Sequence, residues 1–269
     1  MRRSRHRLTI LFFIALAACA GWTVYLTYFR AAVNTNNDLS ENSLQPVYFG
    51  PPRVRITTPE PQLWSRFERN RSDSAAVSEL AFLMAQKGQW QDALKFYQKW
   101  MRMRPAEINA IIGCAYALVN LGKPREAIAF LQKTRTVLKT PEAVAFTWHV
   151  EGDIWWFLAL SAEKDSRERY LTTAEKCQKR ALEIVPHSCR FYLGMVRVAL
   201  AKNDLTLASK LIDQIYAIGC TTNREQALAS YYKGVIHERL GDLKKAQLYY
   251  SAAISADPES FIDIRKVYR

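Results

Sequence analysis

Two stretches of this chain repeat the same spacing of glycine, alanine, tyrosine and proline. The segment GQWQDALKFYQKWMRMRP runs from Gly88 to Pro105, and GDLKKAQLYYSAAISADP runs from Gly241 to Pro258. In both, alanine follows the glycine by five residues, tyrosine by nine and proline by seventeen. The first glycine recurs 34 residues later as Gly122. An internal period of this length is typical of a stacked array of similar structural units.

Each unit has the residue pattern of a helical hairpin. A small residue stands seven positions before the turn glycine, as Ala81, Ala115 or Gly234, and lets two antiparallel helices approach closely. The glycine forms a tight turn that a side chain would hinder. The alanine five positions later lies where the second helix crosses the first, and the proline ends that helix.

This pattern resembles the tetratricopeptide-repeat family, whose unit is a helix–turn–helix of 34 residues. We identify five units, at residues 74–107, 108–141, 142–187, 188–222 and 223–258. The third is longer, because 22 residues separate Gly152 from Ala174, and the extra segment EKDSRER is expected at its tip. In the fourth, Asn203 replaces the turn glycine. The resemblance implies an all-α, right-handed superhelical solenoid over residues 71–269, with Ser260–Arg269 as a capping helix.

The segment 1–30 has the composition of a membrane anchor. Four arginines lie within the first seven residues, and the following stretch, Leu8–Phe29, has no formal charge over 22 residues. At about 1.5 Å per residue, a helix of that length spans a hydrocarbon core of roughly 30 Å. The arginines predict a cytoplasmic N-terminus, so the chain would be a single-pass membrane protein with a periplasmic or other extracytoplasmic main domain.

Two other interpretations of this segment stay open. The sequence Leu16–Cys19 resembles a bacterial lipoprotein signal, with Cys19 as the lipidated residue. The sequence Ala18–Ala20 could be the cleavage site of a secretory signal peptide. The apolar stretch continues for nine residues beyond Ala20, which favours the uncleaved anchor. All three interpretations place the main domain on the same side of the membrane.

Residues 31–70 are rich in Asn, Ser, Thr and Pro and have no persistent helical period. This composition predicts an extended tether between the anchor and the solenoid. The alternative is an ordered arm that packs along the domain, for which pairs such as Leu63–Trp64 provide apolar surface.

The net charge of the chain is +13, and the first 30 residues hold five arginines and no acidic residue. The remaining positive charge is interspersed with acidic residues, which indicates a solvated surface and argues against a nucleic-acid partner. An acidic partner or an anionic membrane surface stays open.

The resemblance implies that the first helices of the hairpins line a concave groove that binds a peptide or protein. One subfamily binds a C-terminal carboxylate through lysines, but the corresponding positions here are Ser78, Ile112 and His149, so this property does not carry over. What remains is an aromatic surface with two arginines, which are common hot-spot residues. Alternatively, Trp155 and Trp156 pack the enlarged third hairpin. The register places these residues in the groove: Asn109, Ile112, Tyr116, His149, Asp153, Trp156, Arg190, Arg197 and Tyr231.

The chain contains no HExxH, CxxC, Walker or GxSxG motif. This predicts a protein that is not an enzyme and needs neither a metal nor a cofactor.

Four cysteines lie beyond the leader. Cys189 opens the first helix of the fourth unit and Cys220 follows its second helix, so the two could form a disulfide after export, with a pair of free thiols as the alternative. Cys114 and Cys177 have the character of small helix-packing residues.

These features together predict a non-enzymatic scaffold, or an assembly or chaperone factor of the cell envelope, that holds a protein partner in its groove. The partner would belong to an envelope or membrane complex. Two other functions stay open: a glycan-binding module, in which groove aromatics stack on sugars, and a constitutive subunit of one membrane complex.

Overall fold

A computed structural model of the chain describes residues 56–257, which form eleven α-helices and no β-strand. One leading helix is followed by five antiparallel hairpins, which agrees with the solenoid expected from the period. The helices are α1 (Glu60–Arg69), α2 (Ser74–Gln86), α3 (Trp90–Met103), α4 (Ile108–Asn120), α5 (Pro124–Arg135), α6 (Pro141–Leu160), α7 (Lys164–Ile184), α8 (Cys189–Ala201), α9 (Leu205–Ile218), α10 (Asn223–Arg239) and α11 (Leu243–Ala256).

The first helix of each hairpin contacts the first helix of the next. This holds from α2 through α4, α6 and α8 to α10, whereas the second helices α3, α5, α7, α9 and α11 do not contact one another. The first helices therefore form the more closely packed row, and their outward surface is called the first-helix face below.

Polar side chains define where several helices begin. The carboxylate of Asp73 accepts hydrogen bonds from the backbone N–H groups of Ala75 and Ala76 at the start of α2. Thr140, Asp204 and Asp242 cap α6, α9 and α11 through their side-chain oxygens. These caps satisfy donors that the first turn of a helix leaves unpaired.

The turns inside the hairpins use a left-handed backbone conformation. Gly88, Gly122 and Gly241 have φ angles of 72°, 77° and 82°. Asn203, which replaces the glycine in the fourth hairpin, has φ 59°. Asparagine tolerates this conformation better than most residues, so the replacement preserves the turn.

The third hairpin is long because both of its helices are extended. Helix α6 has 20 residues and α7 has 21. Residues 164–169, which we expected at the tip, lie within α7, and the turn is confined to residues 161–163. The charged residues there continue a helix because they have good helical propensity.

Helix α1 corrects the extended tether expected over residues 31–70. Residues Glu60–Arg69 are helical, and Leu63 is 0% exposed. Trp64 and Phe67 contact the ring of Phe96 on α3 edge to face, with ring centroids 5.8 and 5.4 Å apart. The last part of the stretch is therefore an ordered arm, because its apolar side chains gain contacts with the first hairpin.

The anchor at Leu8–Phe29, the lipidation candidate Cys19 and the capping segment Ser260–Arg269 lie outside the described residues. Among the helices between residues 56 and 257, none combines the length and apolar character needed to cross a membrane.

Candidate partner-binding site

The groove residues expected from the register all lie on first helices, but the structure brings only some of them together. Asn109 is exposed near the start of α4 and donates a hydrogen bond to Glu107. Tyr231 contacts Tyr232 and Tyr250 within the last hairpin. A central cluster, called the Asp153 cluster below, contains His149, Asp153 and Trp156 from α6, Arg190 and Arg197 from α8, and Tyr116 from α4.

The carboxylate of Asp153 lies at the centre of this cluster. Its Oδ1 accepts hydrogen bonds from Arg197 Nη2 and from Gln178 Nε2, the latter at 3.0 Å. Its Oδ2 lies 3.6 Å from His149 Nε2. Burial raises the pKa of this carboxyl, but Arg197, together with His149 and the hydrogen bonds, outweighs burial and holds the pKa below its ordinary value. Asp153 is therefore a buried anion.

The ring of His149 is held in one orientation by Gln178. Gln178 Nε2 donates to the backbone carbonyl of His149 at 3.1 Å and to Asp153, so its Oε1 is left to accept a hydrogen bond. That oxygen lies 2.8 Å from His149 Nδ1, which must then carry the proton. Burial lowers the pKa of His149, although Asp153 opposes this shift, so the ring is the neutral Nδ1–H tautomer.

Trp156 is 3% exposed and lies beneath the guanidinium of Arg197, whose Cζ is 5.1 Å from the ring centroid. Tyr116 and Ile112 are also buried. The expectation of an aromatic surface is therefore wrong for these residues. Arginine, rather than the indole, faces outward at this point, because Arg197 reaches across from α8 and covers the ring.

Arg190 is the more exposed arginine of the cluster, with 36% of its side chain accessible. Its Nε lies 3.3 Å from a carboxylate oxygen of Glu225 on α10, and its guanidinium lies 4.9 Å from the ring centroid of Phe146. Thr221 also donates a hydrogen bond to Glu225. Arg190 thus connects three successive first helices.

The loop that positions Glu225 is tied to α8 covalently. The structure joins Cys189 and Cys220 in a disulfide, with Cα atoms 5.5 Å apart. Gln226 Nε2 additionally donates to the carbonyl of Cys220. Cys114 and Cys177 are free and buried, and burial raises the pKa of each thiol to about 12. They are therefore inert packing residues.

The hydroxyl of Tyr116 lies within electrostatic range of the whole cluster. Burial raises its pKa, the charge of Asp153 raises it further, and Arg197, Arg190 and Arg224 oppose both effects. Three arginines and two carboxylates therefore surround this part of the first-helix face. Within the described residues, no group of histidine, cysteine or carboxylate side chains has the arrangement of a metal site.

Sequence reasoning missed two members of this arrangement, Gln178 and Glu225. Gln178 lies on a second helix and was not considered for the groove, although it stands four residues after Ala174, where Tyr97 and Tyr250 stand after Ala93 and Ala246. That departure from the repeat pattern was the available signal. Glu225 gave no such signal, since it is one acidic residue in the first turn of a helix.

Comparison with known proteins supports the assignment of the repeat. Residues 193–261 match the sequence model of the tetratricopeptide repeat. No curated protein matches this sequence.

Three solved structures are similar to this one. The tetratricopeptide-repeat protein TTC0263 of Thermus thermophilus has 18% identity and a TM-score of 0.59, with 72% of this chain and 96% of that chain covered. The type IV pilus biogenesis factor PilW has 15% identity and a TM-score of 0.53, with 76% and 88% covered. A chain of the APC/C hetero-tetramer Cut9–Hcn1 has 14% identity and a TM-score of 0.56, with 73% and 36% covered.

At these identities, structural similarity establishes the fold alone, and the match to the repeat model adds the family. This chain is therefore a tetratricopeptide-repeat protein, by sequence over residues 193–261 and by fold over the hairpins α2 to α11.

Proposed function

We propose that this protein is a non-enzymatic scaffold that binds a protein or peptide partner at the Asp153 cluster on its first-helix face. Tetratricopeptide-repeat arrays in general serve as interaction scaffolds, with stacked helices that provide an extended binding surface. The single observation that supports this site is the buried anion Asp153, shared by Arg197 and Gln178 in the third hairpin. Buried charges are costly and need a compensating role, which a recognition surface would provide.

The cellular setting of the proposal rests on residues 1–30. An anchor at Leu8–Phe29 would hold the repeats outside the cytoplasm, where the partner would belong to an envelope or membrane complex. PilW, a pilus biogenesis factor, and the Cut9–Hcn1 tetramer are examples of similar folds in biogenesis and in a stable complex.

Burial of the aromatic residues counts against a glycan-binding role. Sugar stacking needs an open aromatic face, whereas Trp156 lies under Arg197 and Trp148 lies under Arg135, whose guanidinium is 3.5 Å from the ring centroid. A protein partner that contacts the arginines does not require the rings to be open.

Site-specific crosslinking tests the proposal. A photo-crosslinking amino acid at the exposed Asn109 on α4 should capture partner proteins in cells, whereas one at the exposed Lys176 on the second helix α7 should not. Mass spectrometry of the products, after gentle detergent extraction, identifies the partners. Constant stoichiometry would indicate a constitutive subunit, and substoichiometric capture an assembly factor. Crosslinks from Lys176 alone, or from neither position, would contradict the proposed site.

A further inference from the structure

Gln178 occupies a core position that the other hairpins fill with apolar or aromatic side chains. The equivalent residues, each four positions after the crossing alanine, are Tyr97, Leu131, Ile212 and Tyr250. Gln178 is 0% exposed. Burying an amide is unfavourable unless its hydrogen bonds are made, and leucine or isoleucine fills the same place in the second and fourth hairpins. Packing therefore does not explain the glutamine.

Both ends of the Gln178 amide are used by α6. Its Nε2 donates to Asp153 Oδ1 and to the His149 carbonyl, and its Oε1 accepts from His149 Nδ1. Two glycines make room for this side chain. A Cβ atom would lie 2.8 Å from Gln178 Nε2 if placed on Gly152 and 2.6 Å from Gln178 Cδ if placed on Gly194. The surroundings are thus shaped for an amide at this position.

The network ends on the guanidinium of Arg197. The oxygen of Asp153 that accepts from Gln178 also accepts from Arg197, so the amide and the guanidinium hold the carboxylate from two sides. Trp156 lies under the guanidinium and restricts it further. Arg197 retains 17% exposure of its side chain, while the Asp153 side chain is 6% exposed. The most accessible part of the network is therefore cationic.

The surrounding charges favour an anionic ligand. Arg190, Arg197 and Arg224 act on the Tyr116 hydroxyl against the single carboxylate of Asp153. Glu225 lies 3.3 Å from Arg190 but does not contact Arg197 in the ion pairs of the described residues. Planar guanidinium groups are well suited to carboxylates, which they bind through parallel hydrogen bonds.

We propose that Gln178 is a positioning residue that, through Asp153, sets the Arg197 guanidinium on Trp156 to receive an acidic group of a protein partner. The inference deepens the proposed function and rests on it. Gln178 itself does not touch the ligand. It fixes Asp153 and the His149 tautomer, and these fix the direction in which Arg197 presents its remaining donors.

The test measures binding of two labelled probes, decaglutamate and decaglutamine, to the full-length chain in detergent by fluorescence anisotropy. Gln178→Met keeps the side-chain length but removes the amide. Gln132→Met is the matched control, because Gln132 donates a 2.8 Å hydrogen bond to Glu151 on the same helix α6, outside the Asp153 cluster. Gln178→Glu serves as a second variant of closely similar shape that repels Asp153.

We expect the wild type to bind decaglutamate more tightly than decaglutamine. Gln178→Met and Arg197→Gln should each weaken decaglutamate binding by about tenfold, since each disturbs a charge-assisted hydrogen bond, and Gln132→Met should change it by less than about twofold. The ¹⁵N spectrum should show His149 protonated at Nδ1 in the wild type and in Gln132→Met, and a mixture of tautomers in Gln178→Met.

Wild-type affinity in both Gln178 variants would overturn the inference, as would equal binding of the two probes by the wild type. Neither result alters the crosslinking from Asn109, so the failure of this inference is distinguishable from the failure of the proposed function.

Discussion

The carboxylate of Asp153 lies within reach of side chains from three helices: Arg197 on α8, Gln178 on α7 and His149 on α6. Such a buried pair adds little stability compared with apolar residues of the same volume, but removing one member leaves an uncompensated charge and costs about 3–5 kcal/mol. The network therefore makes the third hairpin sensitive to changes that its neighbours would tolerate.

Acidification should weaken the fold through His149. Its pKa in the folded chain is below the ordinary value of 6.5, because burial, assisted by Arg197 and Arg190, outweighs the charge of Asp153 and the hydrogen bond to Gln178. The unfolded chain takes up the proton first, so this contribution is complete above pH 6.5 and is lost as the pH falls towards the folded pKa, by up to about 1.4 kcal/mol per pH unit.

Denaturant titrations between pH 8 and pH 5 measure this loss. His149→Asn retains a donor towards Gln178 but does not titrate, and should show a smaller decrease of the unfolding free energy with acidification. Exposed His187 provides the control, and His187→Asn should follow the wild type. An identical pH dependence of all three proteins would refute the assignment.

Within a hairpin, or between two of them, large side chains lie against glycines on the facing helix. A Cβ atom on Gly113 of α4 would lie 2.3 Å from the ring of Tyr97 on α3, and one on Gly234 of α10 would lie 2.5 Å from the ring of Tyr250 on α11. Interiors are packed closely enough that such overlaps force side chains or helices to move. The glycine and its tyrosine therefore form one packing unit.

Gly113→Ala should destabilise the protein by about 1–3 kcal/mol, because the new methyl group overlaps the buried Tyr97 ring. Tyr97→Leu alone should also destabilise it, by opening a cavity. The double variant should be more stable than the sum of the two losses predicts, since leucine leaves space for the methyl group. Thermal denaturation of the four proteins measures the coupling, and strict additivity would show that the two residues pack independently.

The hairpins could be predicted from the sequence because their determinants are local: a turn glycine and a crossing alanine at fixed spacing. Helix α1 could not, since Pro59 and Pro61 interrupt its surroundings and only contacts with α3 stabilise it. The groove register located the first helices correctly but not the burial of Trp156, which depends on Arg197 from another hairpin. Exposure of a side chain is a tertiary property that a repeat period does not contain.

Across the array as a whole, each hairpin contacts mainly its neighbours in sequence, so a weak unit affects those on either side. The fourth hairpin is the weak unit by sequence, with Asn203 at its turn, and the bond between Cys189 and Cys220 closes it. This bond spans 31 residues, and chain-entropy estimates for such a loop give roughly 3–4 kcal/mol of stabilisation.

Replacing both cysteines by alanine should lower the unfolding free energy by about 3–4 kcal/mol. Hydrogen exchange should then increase in α8 and α9 and in the adjoining α10, and much less in α2 and α3. Cys114→Ala is a control for loss of a cysteine without loss of a disulfide. A double variant that exchanges at the wild-type rate throughout α8 to α10 would show that the bond contributes nothing to this part of the fold.

The extended third hairpin has a consequence for direction. Helix α6 is seven residues longer than α4 or α8, or about 10 Å, and Arg167, near the start of α7, already reaches the carbonyl of Ala201 where α8 ends. The turn at residues 161–163 therefore projects past one edge of the row. Equal hairpins would give a bound chain no reason to prefer one orientation across the helices. A step at one edge breaks that equivalence, and so gives the surface a polarity by which a partner can be aligned.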